Sequence, residues 1–198
     1  MTAYLIAMMD VHDGAGYEEY REKVQAFIER HGGKFIVRGG AADVVEGTWP
    51  AGRIVVLEFP DYGAAQAFVA DPDYRPVAEI RQRTTTSHLW LVDGAPDGPT
   101  ADSMHGFILG RIRIDDPDAY KAYADQVPGV VADLGGTYLA RGGACEAVDG
   151  GMTLDRLVIV GFSDVTAAKN FHSSETYEPL LIIRTNASDS NIVIVEGV

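Results

Sequence analysis

Glu58 sits mid-way along the apolar run RIVVLEF (53–59), between Leu57 and Phe59. A carboxylate in such a run is expected to be at least half buried. Burial without a cation raises its pKa toward the range useful for proton transfer. Glu58 is therefore a candidate general acid or base; the alternative is a buried acid paired with Arg38, Arg53 or a tyrosine hydroxyl. Arg38, before the glycine pair 39–40, could hold a substrate carboxylate through two parallel hydrogen bonds. It could equally tie down the glycine bulge through backbone carbonyls. His12, followed by Asp13, falls in the loop after the first apolar segment, where functional side chains often lie, so Glu58, Arg38 and His12 form the candidate catalytic set. Tyr17, Tyr20, Trp49 and Arg53 are candidate substrate-binding residues, the tyrosines able to donate to developing oxyanion charge. The bland alternatives are core packing for the tyrosines and turn packing for Trp49. Glu46 and Arg53 have a further expected role, as an ion pair facing each other across a hairpin ladder.

Other chemistries find no support in the residue pattern. The histidines at 12, 31, 88, 105 and 172 have no spacing that puts two of them on one metal, so neither metal nor other cofactor is expected. His172 reads as a surface substitution. The glycine doublets match no phosphate-binding loop, and Cys145 has no activating context.

The elements that must position these residues are written twice. Adding 103 to a position in the first half gives a related residue in the second: Tyr17 and Tyr20 become Tyr120 and Tyr123, Arg38 becomes Arg141, Arg53 becomes Arg156, and Arg81 becomes Arg184. Between residues 4 and 94 the register never slips, and 26 of the 91 aligned positions are identical. This is a tandem duplication. The expected division is a first repeat at 1–94, a Pro- and Gly-rich linker at 95–103, and a diverged second repeat at 104–198. Each repeat reads as β-α-β-β-α-β, the ferredoxin-like unit. Helical spacing covers 17–31 and 61–83, the latter interrupted at Asp71-Pro72, with the Trp49-Pro50 turn between strands. Pro128 should kink or shorten the first helix of the second repeat. The strands are apolar on both faces, while two helices can cover only one. The expected fold is α+β, with two repeats packed sheet to sheet as a pseudo-dimeric α/β barrel, the two copies related as in a homodimer; a further homodimer stays open.

The segments YEEYREKV (17–24), GGKFIVRGG (32–40), DVVEGTW (43–49), RIVVLEFP (53–60) and DPDYRPV (71–77) resemble the domain-of-unknown-function family 1330, of the dimeric α/β-barrel superfamily. The second copy resembles it in worn form, with Met152 for Trp49, Gly161 for Glu58 and Ser163 for Pro60. The resemblance implies the fold and assigns no chemistry. Related superfamily members include cofactor-free oxygenases, isomerases, dehydratases and haem-binding proteins.

Composition narrows the partners. Among 198 residues, 16 basic and 29 acidic side chains give a formal net charge of −13, which repels phosphate backbones and anionic lipid, so neither nucleic acid nor membrane is expected. The single cysteine and the lack of a secretory pattern at the start point to the cytoplasm. Two expectations follow. The first is a cofactor-independent enzyme of proton-transfer, isomerase, lyase or oxygenase type, acting on a small organic molecule in the first repeat's pocket between sheet and helices. The second is a non-catalytic small-molecule-binding or structural module.

Overall fold

A computed structural model describes residues 1–49, 52–96, 98–152 and 156–198. The first repeat runs β1 (Ala3–Val11), α1 (Gly14–Arg30), β2 (Lys34–Arg38), β3 (Ala42–Glu46), β4 (Arg53–Phe59), α2 (Tyr62–Ala70), α3 (Arg75–Thr84) and β5 (Thr85–Asp93). The second runs β6 (Gly106–Ile114), α4 (Pro117–Asp133), β7 (Thr137–Arg141), β8 (Cys145–Asp149), β9 (Arg156–Phe162), α5 (Val165–His172), α6 (Glu178–Ala187) and β10 (Ser188–Glu196). Pro50 of the expected turn and Asp97 of the expected linker lie outside the described residues.

Helix boundaries follow from local chemistry. Asp13 accepts from the Gly16 N–H at 3.1 Å and caps α1, and Asp61 and Asp164 do the same for α2 and α5. The Asp71-Pro72 break separates α2 from α3 as expected. Pro128 does not shorten α4, which has the same 17 residues as α1. A proline at 128 leaves the Ala124 carbonyl without its helical donor, and an Arg141 Nη2 donates to that carbonyl instead.

Both sheets have five strands, ordered β2-β4-β1-β5-β8 and β3-β10-β6-β9-β7. The repeats therefore exchange a strand: β3 of the first completes the second's sheet against β10, and β8 returns the favour against β5. This corrects the expected Glu46–Arg53 ladder pair. Glu46 lies opposite Ile192 of the second repeat, whereas Arg53 lies opposite Met9.

Three buried clusters account for the two-faced apolar strands. Tyr4, Ile6, Met8, Ile54, Val56 and Trp90 of the first repeat pack with Phe107, Leu109, Leu157, Ile159 and Val193 of the second in one shared core. The opposite faces make separate cores under the helices, around Leu5, Ile28 and Phe68 in the first repeat and Ile108, Val131 and Phe171 in the second. The fold is the expected α+β pseudo-dimeric barrel, built on strand exchange as well as face-to-face packing.

Candidate functional site

Each repeat holds a narrow cavity between its sheet and its long helix. In the first, α1 supplies Tyr17 and Tyr20, the end of β2 supplies Arg38, the start of β4 supplies Arg53, and Leu5, Ala7, Val55, Leu57 and Phe68 make the apolar wall. In the second, Tyr120, Tyr123, Arg141 and Arg156 take the same places, joined by Tyr138, Tyr177, His172, Arg184 and Glu46. The cavities enclose about 30 and 40 Å³. At about 10–15 Å³ per water, that is room for two to four waters, so a ligand the size of benzoate enters only as the lining side chains move aside.

The polar atoms inside are mostly donors. Arg53 gives an Nη2 hydrogen bond of 2.9 Å to the Arg38 carbonyl and stacks over Tyr17. Arg156 repeats this on the Arg141 carbonyl at 3.1 Å and on Tyr120. It is thus Arg53, not Arg38, that ties down the glycine bulge. Gly39 has φ +74°, and a Cβ there would strike the Arg53 guanidinium. The Nε atoms of Arg53 and Arg156 are buried without a hydrogen-bond partner among the described residues. The Tyr20 hydroxyl lies 3.3 Å from that of Tyr74, and Tyr123 lies 3.4 Å from Tyr177. Burial holds the Tyr20 and Tyr123 phenols well above their ordinary range, so both stay protonated at neutral pH. Tyr17 donates to the Met9 sulfur.

Four of the seven sequence candidates, Tyr17, Tyr20, Arg38 and Arg53, therefore converge on one cavity, and three do not. His12 is exposed in the β1–α1 loop. Trp49 packs against the core between the sheets, with the Arg111 guanidinium of the second repeat 5.5 Å from its ring. Glu58 is 3% exposed and shares the inter-sheet face with Ile54 and Val56. Its carboxylate accepts from the Ala101 N–H at 2.9 Å and the Tyr4 hydroxyl at 3.3 Å, and pairs with Lys34 at 2.9 Å. Ala101 belongs to the connection between repeats, and Lys34 also reaches Asp102. At the equivalent place in the second repeat, Gly161 leaves the space that the Met104 side chain fills. The connection passes both positions, which accounts for an acid at one and a glycine at the other. Glu58→Gln is accordingly expected to lower stability by about 1–3 kcal/mol, from a weakened Lys34 pair and a disturbed Ala101 bond, and to leave ligand binding in the cavity unchanged. Thermal melts and a binding titration on the same variant check this.

Sequence reasoning passed over the ion pairs made by strand exchange. Glu46 Oε1 accepts from Arg184 Nη2 at 2.6 Å and lies 2.7 Å from His172 Nε2. The pseudo-symmetric pair joins Asp149 to Arg81 at 2.7 Å. Burial works to raise the Glu46 carboxyl, but the His172 hydrogen bond and the Arg184 charge outweigh it and leave the pKa below the ordinary value. His172 is no surface substitution: its side chain is 17% exposed and it lines the second cavity. The recurrence of an acid at 46 and 149, and of arginine at 81 and 184, was the available signal. His31 pairs with Asp71 at 2.9 Å, but it joins the end of α1 to the α2–α3 turn, outside either cavity. Among the described residues no group of three or more His, Cys, Asp or Glu is placed to hold a metal, and no helix is long and apolar enough to cross a membrane.

A family model described as "Domain of unknown function (DUF1330)" matches residues 2–95 and again residues 105–198. No curated protein matches the chain. Among solved structures, a chlorite dismutase from Candidatus Nitrospira defluvii superposes with a TM-score of 0.59 at 11% identity, covering 100% of this chain and 91% of that one. A putative monooxygenase from Fusobacterium nucleatum gives 0.56 at 13%, covering 99% and 92%, and another from Lactobacillus acidophilus gives 0.54 at 12%, covering 100% and 99%. At these identities the likeness is one of fold.

Proposed function

The chain belongs to the DUF1330 family in two tandem copies, and since that family carries no assigned chemistry we propose a function from its cavities: a cofactor-independent enzyme acting on a small, partly apolar organic molecule. The observation that carries this is the convergence, within an apolar wall, of a guanidinium whose buried N–H has no partner among the described residues and phenols that keep their protons. Such donors suit an oxygen that gains negative charge during reaction. Arg53, and Arg156 in the second copy, would hold that oxygen. Arg38 would draw an acidic group to the mouth, and Tyr17 and Tyr20 would orient the ligand. Glu58, His12 and Trp49 take no part in the cavity. The putative monooxygenases among the fold neighbours suit this reading, at the level of architecture alone. Burial pushes the Cys145 thiol up to about 11; a single unreactive cysteine suits work in a reducing cytoplasm.

A second reading, a binding module without catalysis, draws on the phenols that satisfy one another. The first test is binding. Titration with benzoate should move the ring resonances of Tyr17 and Tyr20 or of Tyr120 and Tyr123. Arg53→Met/Arg156→Met, checked for folding by circular dichroism, should weaken that effect at least about tenfold, the loss of one charged hydrogen bond. If neither benzoate nor benzamide moves any of these rings, the cavities are structural and the proposal falls.

A further inference from the structure

The two cavities differ in what they can do to a proton. The first offers a ligand donors and phenol oxygens, but no group basic enough to take a proton at neutral pH. Its guanidinium groups are always charged, the Tyr20 phenol is held protonated by burial, and among its described lining residues there is no carboxylate or imidazole. The second cavity has an acceptor, because His172 stands where the first repeat has Val69.

Strand exchange sets the orientation of that imidazole. Glu46 arrives on β3 from the first repeat with its Oε1 2.7 Å from His172 Nε2. An ionised carboxylate can only accept, so in the neutral ring Nε2 carries the hydrogen and the lone pair is left on Nδ1. Arg184 is 1% exposed and gives Nη2 to the same carboxylate and Nε to the Tyr177 hydroxyl at 3.3 Å. Its Nη1 is buried with no hydrogen-bond partner among the described residues, and a buried unpaired guanidinium N–H favours an oxygen ligand. The first repeat differs here too. Arg81 gives Nη1 to Ser87 and Nη2 to Asp149; its buried Nε also has no partner among the described residues, but Arg81 lines a separate outer groove and not the cavity.

We propose that the second repeat's cavity is the proton-transfer site, taking a small enolisable carbonyl compound or a phenol. His172 is the proton acceptor, Arg184 the donor to the oxyanion, and Glu46 a positioning residue. In the step itself, a proton leaves the α-carbon or phenol oxygen for His172 Nδ1. The bonding pair stays on the ligand as enolate or phenolate. The new imidazolium is balanced by Glu46, and the ligand oxyanion accepts from Arg184 Nη1 in addition to Arg156, which lines the same cavity. This inference rests on the cavities being ligand sites, and it adds which one reacts and through which groups.

The probe is 4-nitrophenol, at the pH where half of it is ionised in buffer. With the intact chain, the phenolate absorbance should rise above the buffer value, and the His172 ring resonances should shift while those of Tyr17 and Tyr20 stay. His172→Val puts in the first repeat's own residue, so the fold should tolerate it, and it should lower the excess phenolate at least about tenfold. His172→Gln keeps a side chain able to donate to Glu46 and should still bind the probe, without the excess ionisation. Unchanged phenolate in both variants overturns the inference, as do shifts confined to Tyr17 and Tyr20; in either case the cavities remain ligand sites. If benzoate, benzamide and 4-nitrophenol move no ring in either cavity, the inference falls together with the function it rests on.

Discussion

Residues 1–94 expressed alone should not persist as a folded monomer. Without the second repeat, Tyr4, Ile6, Met8, Ile54, Val56, Trp90 and Val92 lose the partners they bury against. At about 1.5–3 kcal/mol for each large apolar side chain kept from water, the exposed face forfeits roughly 10–20 kcal/mol. That is an upper bound, but it matches or exceeds the roughly 5–15 kcal/mol by which a domain is stable at all. The fragment also loses β8 from the edge of β5, and its own β3 has no β10 to join. Two copies of the fragment can repair both faults by exchanging β3 and closing sheet on sheet. Sedimentation should therefore show a dimer, giving way to unfolded chain on dilution. A cooperatively melting monomer would mean that the shared core and the exchanged strands contribute little.

The second large effect concerns the ion pair that exchange creates. Glu46→Ala leaves the Arg184 guanidinium buried with no carboxylate in salt-bridge reach among the described residues. Breaking a buried pair from one side costs about 3–5 kcal/mol, and for a chain of this size each kcal/mol moves Tm by about 2–4 °C. A fall of roughly 6–20 °C is expected. Asp149→Ala should cost less, since Asp149 is 26% exposed and Arg81 keeps Ser87. Equal melts for the two variants would contradict this ranking. The same pairs fix the response to acid. Both carboxyls are held below their ordinary values in the folded chain, despite burial, by the hydrogen bonds and charges of their partners. Their stabilising contribution is therefore complete above the unfolded-state values, 4.5 for Glu46 and 3.8 for Asp149. It is lost as pH falls through the lower folded-state values. Melts recorded from pH 6 down to pH 3 should show the loss beginning near pH 4.5 in the intact chain and blunted in Glu46→Ala.

Much of this was legible in the sequence. The ungapped offset of 103 residues gave the duplication, and the two-faced strands gave the packing of one sheet on the other, because burial on both sides demands apolar residues at consecutive positions. Helical spacing and recurrence brought Tyr17, Tyr20, Arg38 and Arg53 forward, and these do share a cavity. The exchanged strands were not legible. β3 is five residues long and mostly exposed, so it carries no alternation that names a side or a partner, and an edge strand pairs with whatever backbone tertiary packing brings alongside. For the same reason local pattern places Glu46 opposite Arg53 and His172 on the surface: their partners lie 138 and 126 positions away in the chain. Glu58 was rightly expected to be buried, but periodicity gives the face of a strand and not what covers it. The connection between the repeats, with Ala101 buried, covers it here. Local pattern fixed which residues face inward; only the closed body decided which of them meet, because hydrogen bonds and ion pairs depend on distances that sequence separation does not set.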